Sequence, residues 1–213
     1  MGQQQLIILG CGGNARDIAE MLTDDPRYQL IGFLDENTAL HHTQLDGVPV
    51  LGGLDQLPAH PRAQVVNAVG SPASYPHRAA IVERTGLPSE RFATLIHPTA
   101  SVSRSASIGP GTVILQQVTV TRNVTIGAHV IILPNSVVSH DCVIGDYTCI
   151  AGCVCLCGGV TVGESCYIGA AAAVRDGIAI GDGALVGIGS VVIRPVAVGT
   201  TVAGCPARPM PRR

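Results

Sequence analysis

The chain has 213 residues, a net charge of −2, 13% charged residues, 3% aromatics and no Trp. That length allows one or two small domains, and the charge balance lacks the basic face with which a nucleic-acid binder neutralises phosphates. All 13 basic residues are arginine, which excludes a lysine nucleophile or Schiff base, and no apolar run approaches the roughly 18 residues of a membrane span.

Met-Gly-Gln-Gln-Gln at the start carries no basic n-region, and the apolar run behind it is too short for a signal sequence. A cytoplasmic protein is expected, with its eight cysteines as reduced thiols. Leu6-Ile7-Ile8-Leu9 reads as a buried strand, Gly10-Cys11-Gly12-Gly13 as a tight turn, and residues 14–23 as a helix with Ile18, Met21 and Leu22 on one face. Residues 30–34 form a second strand ending at Asp35-Glu36. Residues 65–69 form a third ending at Gly70-Ser71, and residues 76–84 a second helix. Alternating strands and helices predict a small Rossmann-like parallel α/β sheet over residues 1–94.

The glycine turn follows a strand and opens a helix, where free backbone N–H groups favour an anion, often a phosphate. Asp35, at the end of the second strand and about 20 residues beyond the turn, stands where an acid contacts a ribose or base. A dinucleotide fold needs two βαβαβ halves, and the segment is too short for both. The turn therefore suits one mononucleotide moiety, or it is a tight turn that binds nothing.

Residues 92–98 read as a linker. From Val102 to Val198 every sixth position is Val, Ile or Leu, seventeen in succession. Such a period outranks local propensity. Each six-residue unit makes a short strand and a corner, three units close a coil, and stacked coils pair as parallel strands about 4.8 Å apart. The repeat residue points into the axis. Four residues later comes a second, mostly small or β-branched class such as Thr112, Val118, Ser136 and Thr148. Gly often follows the repeat position, as in Ile126-Gly127 and Ile144-Gly145, and is expected to serve unusual backbone angles at the corner.

His140 lies two residues past Val138, in a corner, with Asp141 beside it to orient the imidazole and stabilise its cation. Cys153, Cys155 and Cys157 alternate to the outside. Three neighbours on one strand do not easily reach one zinc ion, and the matching positions one coil on hold Ala171, Ala173 and Arg175. Packing at a subunit interface or along a ligand groove is the plainer role. Neither the interval from His97 to His129 nor that from His129 to His140 is a whole number of coils, which speaks against a three-histidine zinc site of the γ-carbonic anhydrase type. No metal is expected.

The stretch His140-Asp141-Cys142-Val143-Ile144-Gly145-Asp146 resembles the motif of the hexapeptide-repeat nucleotide-sugar acetyltransferases related to sialic acid O-acetyltransferases. Leu95-Ile96-His97-Pro98 resembles their linker, and Val202-Ala203-Gly204-Cys205-Pro206-Ala207-Arg208-Pro209 their tail. The resemblance implies a nucleotide-sugar-binding α/β domain over 1–94 and a left-handed parallel β-helix with its tail over 95–213. It implies an acetyl-CoA-dependent N-acetyltransferase acting on a nucleotide-linked amino sugar, with O-acetylation of a sialic-acid-like hydroxyl as the alternative and a non-catalytic nucleotide-sugar sensor as a further one. His140 would be the general base and Asp141 its support. Gly12, Gly13 and Asn14 would cradle the nucleotide, Asp35 and Glu36 contact the nucleoside, and Gly70 and Ser71 border the pocket. Acetyl-CoA would lie near Cys149, Gly158, Ala170 and Ile188, in a homotrimer with active sites between subunits. Asn14, Leu133, Cys149 and Cys205 depart from the usual family residues.

Overall fold

The computed structural model describes residues 2–23 and 25–211. The chain divides into two compact units, residues 1–70 with 77–94, and residues 71–76 with 95–213.

In the first unit β1 (Gln4–Leu9) is parallel to β2 (Tyr28–Leu34) and β5 (Gln64–Asn67), and β4 (Val48–Gly52) adds in parallel to β2. A short antiparallel strand β3 (Gln44–Leu45) closes the order β3-β4-β2-β1-β5. The Asp46-Gly47 turn between β3 and β4 has positive φ at both residues, the geometry of a two-residue hairpin. β1 is an interior strand buried on both faces, so its run Leu6–Leu9 is apolar without alternation. Helix α1 (Gly13–Leu22) lays Ala15, Ile18, Met21 and Leu22 into the core, and α2 (Arg78–Arg84) follows β5. Chain order reverses about β1: the path leaves it on one side through α1 to β2 and returns to β5 on the other. Open α/β sheets bind ligands at the carboxyl ends of strands at such a switch.

The second unit is a left-handed parallel β-helix with two-residue strands on three faces. Face one starts at Leu95–Ile96 and runs through Val113–Ile114, Ile131–Ile132 and Cys149–Ile150. Face two carries Thr119–Val120, Val137–Val138 and Cys155–Leu156, and face three Thr125–Ile126, Val143–Ile144 and Thr161–Val162. Partners sit three hexapeptides apart, as in Ile132↔Ile150 and Val138↔Leu156. The repeat positions and the second class, Val118, Val124, Val130 and Cys142 among them, form one continuous axial core. Within it the hydroxyls of Thr112, Ser136 and Thr148 each donate to a carbonyl 15 residues on, at 2.8 Å, and accept an N–H 18 residues on. Buried polar groups are thereby satisfied between coils.

Two expectations need correction. The array begins one unit before Val102, with Ile96 in register below Ile114, so residues 95–98 of the expected linker are already β-helix, while Phe92 and Ala93 pair with Val65 of the first unit. The six-residue phase also breaks after Val192. Leu185 and Val186 pair with Thr201 and Val202, two positions short of a full coil, and Ile180 bridges Val196. Val196 takes the axial position and Val198 is 71% exposed. The last coil is shortened, so the inward position moves from 198 to 196.

From Gly111 onward each full corner holds one residue in the left-handed region, and these stack in three columns with one member per coil. Gln117, Asn135, Cys153 and Ala171 lie between faces one and two. Asn123, Asp141, Gly159 and Gly177 lie between two and three, and His129, Tyr147, Ser165 and Gly183 between three and one. The recurring glycines Gly109, Gly127, Gly145, Gly163 and Gly181 are not among them. A Cβ on Gly145 would lie 2.6 Å from the backbone of Gly163 and Glu164, and one on Gly127 2.1 Å from Asp146 Oδ1. Close stacking of coils, not backbone angle, excludes a side chain there.

Candidate functional site

In the first unit the loop Gly10-Cys11-Gly12-Gly13 joins β1 to α1. Gly12 caps the helix without any side-chain hydrogen bond. The N–H groups of Gly12, Gly13 and Asn14 make no hydrogen bond among the described residues, and a Cβ on either glycine would meet nothing within 4 Å. Free donors at an open helix N-terminus are what an anion needs.

Asn14 Nδ2 donates to the Gly70 carbonyl at 3.2 Å, which brings the loop and the end of the β5 segment together. Ser71 belongs to the segment clustered with the β-helix, where its hydroxyl is 2.8 Å from that of Ser74. Asp35 is engaged locally. Its Oδ2 accepts the Cys11 N–H at 2.8 Å and its Oδ1 the Asn37 N–H at 2.9 Å, so the carboxylate fixes the shape of the glycine loop.

Glu36 faces Arg84 Nη2 at 3.2 Å and accepts the Leu54 N–H at 3.4 Å. Leu9, Gly10, Leu34, Asp35, Glu36, Leu54, Val69, Ile81 and Arg84 line a mainly apolar cleft of about 160 Å³ at the strand ends. Leu54, Val69, Ile81 and Arg84 are additions to the residues read from sequence. Leu54, Val69 and the α2 residues Ile81 and Arg84 come from three separate segments, and only the switch in strand order brings them together.

On the β-helix, His140 and Asp141 occupy the corner between faces two and three. His140 Nδ1 lies 2.8 Å from Asp141 Oδ2, with both side chains more than half exposed. The hydrogen bond from His140, then that from Asn123, holds the Asp141 carboxyl below the usual carboxylate range. An ionised carboxylate only accepts, so Nδ1 carries a proton, and in the neutral imidazole Nε2 holds the lone pair. Nε2 makes no hydrogen bond among the described residues.

Gly158 occupies the position of His140 one coil further on. A Cβ there would lie 2.5 Å from His140 Cε1 and 2.6 Å from Nε2, so the bare glycine makes room for the ring. The Gly158 N–H also has no partner among the described residues. The corner therefore presents a proton acceptor and a backbone donor side by side.

The remaining acetyl-CoA candidates fall elsewhere. Ala170 and Ile188 share the column between faces one and two, with Ile188 79% exposed, and Cys149 is buried on face one beside Tyr167. Cys155 and Cys157 interact with each other, and burial, then Cys155, raises the Cys157 pKa. Among the described residues no group of three or more His, Cys, Asp or Glu is placed to hold a metal ion. No helix among them is long and apolar enough to cross a membrane.

Both halves of the chain match known families. The PglD N-terminal domain family matches residues 5–84, and the bacterial transferase hexapeptide (six repeats) family matches residues 123–158. The chain is 34% identical over 123 residues to the UDP-N-acetylbacillosamine N-acetyltransferase of Bacillus subtilis (strain 168), covering 53% of this chain and 51% of that protein, so the match spans about half the length of this curated relative. The acetyltransferase domain of PglB from Neisseria gonorrhoeae FA1090 is 31% identical, covers 98% of this chain and 100% of its own, and superposes with a TM-score of 0.87. It has also been solved in complex with acetyl coenzyme A. PerB from Caulobacter crescentus, solved with CoA and GDP-perosamine, is 28% identical over 97% of each chain, with a TM-score of 0.84.

Proposed function

The chain belongs to the hexapeptide-repeat nucleotide-sugar acetyltransferases, and from that membership we propose that it moves an acetyl group from acetyl-CoA to the amino group of a nucleotide-linked amino sugar. The observation that carries this reading is the exposed His140–Asp141 pair with its open Nε2 beside Gly158. In the reaction the neutral amine attacks the thioester carbonyl and Nε2 takes the proton that the amine sheds. The unpartnered Gly158 N–H is the donor assigned to the oxyanion of the tetrahedral intermediate. Collapse breaks the C–S bond, and the imidazolium returns its proton to the departing CoA sulfur. Asp141 stays ionised throughout and offsets the charge of the imidazolium.

In the first unit, the phosphates of the nucleotide meet the N–H groups of Gly12, Gly13 and Asn14, and its base enters the cleft lined by Leu34, Leu54, Val69 and Ile81 beside the Glu36–Arg84 pair. Ala170 and Ile188 lie on a different corner from His140, so a second copy that brings its own Ala170 and Ile188 corner to the dyad would complete the acetyl-CoA site. That supports a homotrimer with the site between subunits.

The relatives' own names favour amine over hydroxyl: the Bacillus subtilis protein is a UDP-N-acetylbacillosamine N-acetyltransferase, and a solved Caulobacter crescentus structure is that of a perosamine N-acetyltransferase. The test is an acetyl-CoA assay against UDP-, GDP- and dTDP-linked 4-amino sugars, with free sialic acid as the competing acceptor. Turnover of at least one amino sugar is expected. Acetylation of sialic acid alone would overturn the N-acetyl assignment.

A further inference from the structure

We propose that Asn123 is a positioning residue of the dyad: from the coil below, it fixes which oxygen of Asp141 faces the imidazole. The inference rests on His140 acting as the base.

Asn123 comes one coil before Asp141 and lies directly beneath it in the corner column, both in left-handed backbone at φ 54 and 60. Its Nδ2 donates to Asp141 Oδ1 at 3.1 Å, while Oδ2 takes the His140 Nδ1–H at 2.8 Å. A carboxylate has no proton to give, so the amide nitrogen must be the group turned toward it. Asn123 is itself tied down, because its backbone N–H donates to Ser105 Oγ one coil lower, at 3.0 Å. The chain of contacts runs Ser105, Asn123, Asp141, His140 up one edge of the β-helix.

An exposed imidazole–carboxylate pair between adjacent residues is weakly held and screened by water. With one oxygen anchored, Asp141 cannot rotate away from Nδ1, and the tautomer with a free Nε2 is retained. The other charged and titratable groups around the dyad are Arg122 beside Asn123, Cys142 next in the chain, and Cys157 and Asp176 on the coils above. None of them is hydrogen-bonded to the Asp141 carboxylate among the described residues.

Asn123→Gly is the test, because Gly159 and Gly177 already occupy this column in the same backbone region and the fold has no reason to suffer. Expected is a fall in kcat of about 3- to 10-fold, well short of losing the base itself, with the KM for acetyl-CoA unchanged. Nitrogen NMR of His140 should show a smaller Nδ1–H tautomer population than in the wild type. Asn123→Asp sets a second carboxylate against Asp141. It should move the acid limb of kcat/KM to higher pH, since added negative charge favours the imidazolium.

An unchanged tautomer population in Asn123→Gly overturns the proposal, whatever happens to kcat. The NMR readout does not require catalysis, so it also separates the two ideas. If His140→Ala keeps wild-type kcat, the base assignment falls, while the tautomer shift still decides whether Asn123 holds Asp141.

Discussion

His140 can serve as a base only through Nε2, because Nδ1 is committed to Asp141. His140→Ala should therefore lower kcat by roughly 10²-fold or more, the scale of general-base catalysis. Asp141→Asn should cost less, since the carboxylate orients the ring and never carries the proton. Folding should survive both, as neither side chain enters the axial core. Wild-type kcat in a folded His140→Ala protein would leave proximity and the Gly158 N–H as the sources of rate. The Asp141 carboxyl is held below its ordinary range, so its pairing is complete above pH ~4 and is lost only as pH falls through the depressed value. Activity lost between pH 8 and 5 thus belongs to groups other than Asp141. The thiols make a separate prediction. Burial, then Asp35, pushes Cys11 up to about 11. Fewer thiolates at pH 8, partly offset by their greater nucleophilicity, should make Cys11 about tenfold slower toward iodoacetamide than an ordinary exposed thiol. Cys153 and Cys205 are exposed and should label first, and the axial Cys142 and Cys166 last. Peptide mass spectrometry over time checks the order, and early labelling of Cys11 would show that burial and Asp35 do not hold its thiol protonated. The dyad is legible in sequence because its two members are neighbours. Asn123 is not, because its partner is one full coil away and only the stacking register reveals it.

At the scale of elements, the glycine column and the left-handed column make different demands, and substitution separates them. Gly145→Ala drives a Cβ into backbone atoms of the next coil at 2.6 Å, where nothing flexible can yield. Overpacking of this kind costs on the order of 3 kcal/mol. Gly177→Ala meets open space and bears only the left-handed penalty, about 1–2 kcal/mol. Ala171 already adopts φ 57 in a neighbouring corner, so that penalty is tolerable. Denaturant midpoints should drop clearly further for Gly145→Ala, and equal drops would contradict the stacking account. The repeat makes the array readable almost whole, since a branched aliphatic every six residues serves one narrow axis. What it conceals are the ends. Ile96 fits the phase, but Pro98 beside it gives the segment the look of a linker. Val198 keeps the phase by coincidence after the coil has shortened, and only the buried Val196 betrays the slip. In the first unit the Asp46-Gly47 turn carries a hairpin signal, but its flanking strands β3 and β4 are short and weakly alternating, so periodicity does not reveal them.

For the whole molecule, the outer rows of faces two and three bear on assembly. Face two presents Ser101, Thr119, Val137, Cys155, Ala173 and Val191, and face three Ser107, Thr125, Val143, Thr161 and Ala179. None of these is charged, which is the composition of the centre of an interface more than of a wetted surface. Val137 and Val143 are 37% and 44% exposed and stand on either side of the His140 corner. A partner seated on these rows would bury both valines and bring a second chain to the dyad, where the Ala170 and Ile188 corner of that chain could meet it. Light scattering at micromolar concentration should give three times the chain mass. Val137→Glu with Val143→Glu places two charges where a partner would have to desolvate them, a substitution that costs several kcal/mol at a buried contact but almost nothing on an open surface. The double variant should therefore become monomeric and lose kcat while its thermal unfolding of secondary structure remains cooperative. The ligand response then discriminates further. Nucleotide-sugar binding through the first unit alone should survive in the monomer, whereas acetyl-CoA binding, if it draws on two chains, should weaken by at least tenfold. A wild-type protein that is monomeric at micromolar concentration, or a monomeric variant with full activity, would place the entire site within one chain.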